Sequence, residues 1–499
     1  MVRRWSLRLI KTIGALLALS LLAFAVALAW PRAAAPRPDH APLLLIEGAR
    51  IVDVESSTAG EPTRLLVRDG RIAAIGSAIT APAGARRIDG RGKWLIPGLW
   101  DMHSHSFQIS PQLHLPLQVA NGITAVRDMM GCPEASDPLL ACHDDKLRWS
   151  RAAVAGTMAS PRFIGDASFY YEDPNLTAAA VAARAATDKA RGVTLLKSYN
   201  RLSLPAWRAL IAASARHGLP VVGHVPKAVP LDEAVTGGQR SFEHGRIFIE
   251  GCAAEAPAWR AGRLDGLPSP ARLRRLLAKR DEPACAAIMM QMAARKLAFV
   301  PTLVTREEDA RAHDSALTED PRLRFADPLS RWAYRDDAGA TATSYAAAAD
   351  RALLTQALRR AQADALAAHR AGVSVLVGSD TIIAGLRYHD ELAQLAAAGL
   401  TPAEVLRAAT IDAARFVGHD RELGSIAVGK RADLVLLDAD PLTDVAASRR
   451  IAAVLLNGHV YDRSRLAALH DYVARQANHP ANWARMIWGF ATSPASSSL

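Results

Sequence analysis

Hydrophobic positions divide the chain into three patterns. From Leu43 to Trp94 short alternating apolar stretches, such as Leu44-Leu45-Ile46, Ile51-Val52-Asp53-Val54 and Leu65-Leu66-Val67, are separated by turns, and Asp69-Gly70 predicts a hairpin. Gly424 to Tyr461 has the same character, with Leu434 to Leu437 and Val454 to Leu456 as strands and a turn at Asn457-Gly458. Two β-rich segments at opposite ends of an intervening body predict one small domain made from both. Between them, apolar runs alternate with helical periods, which is the pattern of a parallel sheet covered by helices. Eight strand ends are expected, at His105, Asp128, Gly165, Lys197, His224, His244, Thr302 and Asp380, with helices over residues 178–191, 206–217 and 349–371. The stretch 304–348, carrying Trp332, Tyr334 and Tyr345, is too long for a plain connection and reads as a lid or specificity insert.

The N-terminus follows different rules. A basic start precedes the apolar stretch Ile13 to Trp30, and Ala27-Leu28-Ala29 is a small-x-small cleavage motif, so export is expected. The stretch is also just long enough to stay in a bilayer as an anchor. Pro31 to Pro38 reads as an exposed linker, and the chain after Arg463 as a helical tail ending in a disordered Ala-Ser-rich stretch. The expected division is a signal peptide or anchor at 1–30, a linker at 31–42, and a β-sandwich formed by 43–96 with 419–462. The α/β body spans 97–418 with its insert at 304–348, and the tail 463–499.

The 499 residues, half of them hydrophobic and only 6% aromatic, suit a large α/β body. Of the net charge of +11, Arg3, Arg4, Arg8 and Lys11 supply four, leaving seven for the remainder. Those charges are scattered over amphipathic helices without aromatic interleaving, which argues against a nucleic-acid partner. Four cysteines fit an oxidising compartment; 132 with 142 and 252 with 285 is the natural pairing among three.

The chemistry is concentrated at strand ends. In Pro97-Gly98-Leu99-Trp100-Asp101-Met102-His103-Ser104-His105 two histidines at i and i+2 project to one side of a strand and can grip one metal. Lys197, His224, His244 and Asp380 each close an apolar run in the same way, so a barrel would gather all six side chains at one rim. Imidazoles with a carboxylate suit zinc or a similar ion. Two such ions about 3.5–4 Å apart need a bridging anion. A lysine carboxylated by CO2 to a carbamate can serve.

These pieces, with Leu-Leu-Lys-Ser-Tyr, Val-Gly-His-Val, Phe-Glu-His-Gly, Val-Gly-Ser-Asp-Thr and Gly-Ser-Ile-Ala-Val-Gly-Lys-Arg-Ala-Asp-Leu-Val, resemble the metal-dependent amidohydrolase superfamily. The likeness is to its imidazolonepropionase-like and prolidase-like dipeptidase branch, and it runs from about Leu43 to Asp462. It implies a (β/α)8 TIM barrel beside the small β-sandwich. It also implies that His103, His105 and Asp380 hold one divalent ion, that His224 and His244 hold a second, and that carbamylated Lys197 bridges them. Asp101 and Glu243 are then carboxylates that orient ligands or backbone.

The activity so implied is hydrolysis of an amide in a dipeptide or N-acyl amino acid by metal-activated hydroxide, with Asp380 moving the proton to the departing nitrogen. Lactone or other ester hydrolysis needs the same site. A non-catalytic, membrane-tethered binding protein is the alternative of another class. Tyr199 and Arg246 are candidate contacts for a substrate carboxylate, with Lys227 and Arg387 to Asp390 as further ones. The expected partners are a small-molecule substrate and, through the N-terminus, a membrane. Location is periplasmic or extracellular, and a homo-oligomer is left open.

Overall fold

The computed structural model describes residues 2–496. Six strands come first: β1 (Leu43–Asp53), β2 (Thr58–Ala59), β3 (Thr63–Arg68), β4 (Arg71–Ile75), β5 (Arg86–Asp89) and β6 (Trp94–Pro97). The expected hairpin joins β3 to β4, with Asp69 and Gly70 both at positive φ. Eight strands of the body follow: β7 (Leu99–Ser104), β8 (Ile123–Asp128), β9 (Arg162–Asp166), β10 (Leu196–Ser198), β11 (Val221–Gly223), β12 (Ser241–Glu243), β13 (Ala298–Val300) and β14 (Ser374–Val375). Near the C-terminus come β15 (Leu434–Leu437), β16 (Ile451–Leu456) and β17 (His459–Asp462).

β1 to β6 and β15 to β17 form one nine-stranded sheet, so both chain ends do share one structure. Its joint is β6 against β15, where Leu434 to Leu437 lie opposite Pro97 to Trp94 in antiparallel register. The body strands are parallel, in sequence order, in a three-stranded group β7-β8-β9 and a five-stranded group β10 to β14. Parallel bridges from Ala167 to Leu195 and from Tyr171 to Ser198 connect the groups. Hydrogen bonds from Met102 N to Val377 O (2.8 Å) and from Asp380 N to His103 O (2.9 Å) tie the end of the last strand to the first. β7 and β8 are buried at every residue, as strands covered on both faces must be.

Helices fall where the periods place them, over Ala178–Ala190, Leu204–His217 and Ala348–Arg370. The second has Ser203 at its start, proline in its first turn and Gly218 in the left-handed conformation at its end. The insert is helical: Leu303–Ala310, Ser315–Thr318 and Pro328–Ser344. Asp327 caps the last of these, accepting from Leu329 N and Ser330 N. Both disulfides join the expected partners, Cys132 with Cys142 and Cys252 with Cys285.

Two expectations change. Pro31 to Pro38 is largely exposed, yet the segment is pinned to the body: Ala33 O accepts from Tyr472 Oη at 2.8 Å, and Asp39 bridges Val460. The tail is helical over Arg463–Ala477 and Pro480–Thr492 as expected, but the Ala-Ser stretch beyond is packed up to residue 496. Ser493 Oγ donates to Asp137 at 2.8 Å and Ala495 is fully buried. Small side chains fit a tight slot there, which composition does not disclose. Residues 497–499 lie outside the described residues.

The nine-stranded sheet is fastened to the body by Arg162, which donates from Nε to Asp433 (2.5 Å) and from Nη2 to Asn457 Oδ1 (3.1 Å). Asp433 is nearly fully buried. Arg162→Ala strands that carboxylate and should cost about 3–5 kcal/mol in urea denaturation. Arg162→Ala with Asp433→Ala should recover part of it. A loss for the single variant within the ~0–1 kcal/mol of an exposed pair would show that the contact does not hold the sheet.

Candidate active site

All six side chains expected to converge do line one cleft, about 660 Å³ in volume, at the carboxyl ends of the body strands. His103 lies in β7, His105 just after it and Lys197 within β10. His224 and His244 follow β11 and β12 directly, and Asp380 lies five residues beyond β14. His103, His105 and Asp380 each offer one donor atom, all within 4.8 Å of one another. His105 Nε2 is 3.0 Å and His103 Nε2 3.7 Å from Asp380 Oδ1. On the other side, His224 Nε2 and His244 Nε2 are 2.8 Å apart.

The far nitrogen of three rings is held from behind. His103 Nδ1 meets Glu243 Oε2 at 3.0 Å, His224 Nδ1 meets Asn200 Oδ1 at 2.7 Å, and His244 Nδ1 meets Thr302 Oγ1 at 2.9 Å. Donation through Nδ1 leaves the Nε2 lone pairs facing inward. Burial lowers all three pKa values, His103 to about 4 and the other two well below the usual range, so the rings are neutral. Two neutral Nε2 atoms facing each other at 2.8 Å need a cation or a proton between them. That need, and the donor set of imidazoles with one carboxylate, fit a first-row divalent ion.

Lys197 is fully buried, and its Nζ has no hydrogen-bond partner. Burial pulls its pKa down to about 8, against the opposing pull of Glu243 and Asp380. Burial pushes the Asp380 carboxyl up, but the surrounding imidazoles, with the His105 hydrogen bond at 3.0 Å, hold it well below the carboxylate range. Glu243 is likewise pushed up by burial and held down by Arg127 and His103. Arg127 donates to Glu243 Oε1 (2.9 Å), Ser241 Oγ (2.8 Å) and Met102 O (2.7 Å). Asp101 accepts from His103 N (3.1 Å), Ser379 N (3.0 Å) and Ser379 Oγ (2.5 Å), so it orients both loops.

The rim is conformationally strained. His244, Thr302 and Asp380 have φ of 73°, 43° and 47°, the left-handed region that side-chain-bearing residues seldom occupy. Glycine is required beside it: a Cβ on Gly223 (φ 110°) would lie 2.6 Å from Ser198 O and 2.7 Å from Lys197 Cδ.

Tyr199 and Arg246 both line the cleft. The Tyr199 ring stacks between Tyr170 (4.3 Å) and His224 (4.2 Å), and Arg246 donates to Asn200 Oδ1, 3.1 Å from His224 Nδ1. Lys227 is instead paired with Asp265 and lies over Trp259. Arg387 to Asp390 do not line the cleft: Arg387 pairs with Glu307 and Asp390, and Tyr388 Oη donates to Trp100 O. Sequence reading passed over Asn200, Arg127 and the cleft residues Trp259, Arg272 and Arg306. Only Asn200, three positions after Lys197, carried a local signal.

Residues 304–461 match the amidohydrolase family. Over 120 residues the chain is 32% identical to a dihydroorotase of Anaeromyxobacter sp. (strain K), covering 23% of this chain and 27% of that one. The chain thus spans about a quarter of the length of the curated relatives it matches. Among solved structures, a bottromycin amidohydrolase superposes with a TM-score of 0.65 at 26% identity, over 90% of this chain and 94% of the other. A prolidase-like protein from Bifidobacterium longum gives 0.59 at 21% identity, over 88% and 100%, a likeness of fold. The chain carries an amidohydrolase family domain on an α/β amidohydrolase fold.

Gly223→Ala should cost about 1–3 kcal/mol from overpacking against Lys197, beyond the backbone strain. Gly218→Ala, also at positive φ but with open space around it, should cost only the ~1–2 kcal/mol of strain. Equal losses in denaturation would show that the close approach to Lys197 is unimportant.

Proposed function

We propose that the chain is an exported, metal-dependent amidohydrolase that cleaves a C–N bond in a dipeptide or N-acyl amino acid. The observation that carries this reading is the convergence of six donor side chains from five strand ends, with three imidazoles held from behind so that their free nitrogens face inward. His103, His105 and Asp380 would hold one divalent ion and His224 with His244 a second, zinc suiting both. Such ions supply Lewis acidity and make water a stronger acid. The unpartnered Lys197 amine, its pKa pulled down by burial, is the group that CO2 would carboxylate, and the carbamate would supply the anion that two such ions need.

Asp380 takes the proton of the attacking water and delivers it to the departing nitrogen. Its strained backbone and its hydrogen bond to the His103 carbonyl fix it above the cleft floor. Arg246 and Tyr199, which line the cleft, would receive a substrate carboxylate, and the helical insert contributes Thr305, Arg306, Thr341 and Tyr345 to the cleft wall. The eight parallel strands are read as a closed barrel over 97–418. The shared sheet is read as a β-sandwich formed by 43–96 and 419–462, flanked by the segment 1–30, the linker 31–42 and the tail 463–499. The helix Val2–Ala29 fits a signal peptide or anchor, and the disulfides fit a periplasmic or extracellular location.

Elemental analysis of the purified chain should give about two zinc-like ions, and chelation should abolish hydrolysis of a dipeptide and N-acyl amino-acid panel. Hydrolysis of lactones alone would move the substrate class to esters. Stably metal-free and inactive protein after treatment with metal and bicarbonate would favour the non-catalytic binding protein. Asp380→Asn should lower kcat by about 10²–10⁴-fold with metal content measured alongside. Near-normal kcat would remove the proton-transfer role. Glu243→Gln, in protein that remains folded, should weaken metal binding by about 10–100-fold in chelator competition.

A further inference from the structure

We propose that the outward face of the last helix, Pro480–Thr492, lies in the lipid–water boundary of a membrane, beside the N-terminal helix and as a second contact with the same bilayer. Four tryptophans are exposed among those whose side chains are described, at 39–61%: Trp30, Trp332, Trp483 and Trp488. All four belong to this one region. Trp483 and Trp488, with Ile487 between them, share one side of the last helix at i, i+4 and i+5 spacing. Trp30 is joined to that helix through its carbonyl, which accepts from Arg485, and its ring is 6.4 Å from His479. Trp332 follows Arg331, whose Nη2 donates to Asn478 Oδ1 at 3.0 Å, and its helix packs on the last one.

The opposite face of Pro480–Thr492 is already satisfied. Asn482, Met486 and Gly489 are buried there, the Asn482 amide donating to Gln476 O at 2.9 Å and Gly489 close against Pro138 and Leu139. The outward side carries Trp483, Ile487 and Trp488, and the helix has Arg485 as its one charge and no acid. An apolar helix face of this kind needs an apolar environment to cover it. The occupant is indicated by what adjoins it. Arg8–Ala29 is 22 residues long and apolar with none of its residues buried, enough to cross a bilayer, and it packs against the last helix. Trp30 follows its end directly, so the level at which the chain leaves lipid is the level of the tryptophan cluster. Tryptophan concentrates at that boundary, and Arg32 and Arg485, both lining the crevice between the two helices, suit anionic headgroups.

The proposal rests on the N-terminal helix being a membrane segment and is independent of the catalytic reading. The full chain, with its native cysteines in disulfides, is reconstituted into phosphatidylcholine–phosphatidylglycerol vesicles. Single variants Ile487→Cys, Leu17→Cys and Met290→Cys carry an environment-sensitive fluorophore, and doxyl-labelled lipids serve as quenchers. Met290 is exposed on the helix Glu282–Ala294, away from the cluster. The label at 487 should be quenched several-fold more than the label at 290. Quenching at 17 but not at 487 would overturn the proposal and leave the N-terminal reading standing. Absence of quenching at both would overturn the two together. A spectral shift at 487 that grows with protein concentration, without quenching by lipid, would assign the face to a second copy of this chain and likewise overturn it.

Discussion

The site depends on one buried carboxylate, Glu243. It accepts from Arg127 on one oxygen and from His103 on the other, and all three groups are essentially without solvent. A lone carboxylate in that position would be neutralised or expelled, whereas Arg127 keeps it charged. Its charge then fixes the ring of His103, whose inward nitrogen faces Asp380. Arg127 belongs to β8 and reaches both the carbonyl of Met102 in β7 and Ser241 in β12, so the same guanidinium that permits the charge also links strands far apart in sequence. Ligand geometry and strand placement are thereby one constraint.

The rim draws on that rigidity. His244, Thr302 and Asp380 each hold a left-handed backbone at a strand end, a conformation costing of order 1–3 kcal/mol apiece. Such turns aim short side chains back across the strand ends, and they persist because neighbouring bonds leave no alternative. Asp101 binds the amides of His103 and Ser379 together, so the first and last loops cannot drift separately. Gly223 and Gly378 let backbone approach Lys197 and His103 to distances that no Cβ would allow.

The residues at the cleft were legible because each closes an apolar run, and strand ends of a parallel body share one face. The same logic does not find Arg127 or Asn200, since they act through another side chain and their partners lie 116 and 24 positions away. Arg387 to Asp390 illustrate the converse: their position after the last strand suggests a substrate contact, yet Arg387 and Asp390 answer the acids and arginines of the insert, as in Arg322 with Asp390 and Arg387 with Glu307. Charge in sequence does not disclose which opposite charge folding will bring to it. The Ala-Ser end was misread for a related reason, because small residues are as able to fill a narrow slot as to remain unstructured.

The helix Pro328–Ser344 connects the two surfaces of the molecule that matter most. Its 17 residues extend about 25 Å. Trp332 near its start is exposed beside the last helix, while Ala340, Thr341 and Ser344 near its end line the cleft. Asp327 caps the start, and Arg322 ties the preceding turn to Asp390 in the first turn of the helix Tyr388–Ala398. The helix runs unbroken from Trp332 to the residues that line the cleft, so the insert's share of the cleft wall and the packing at its outer end belong to one element.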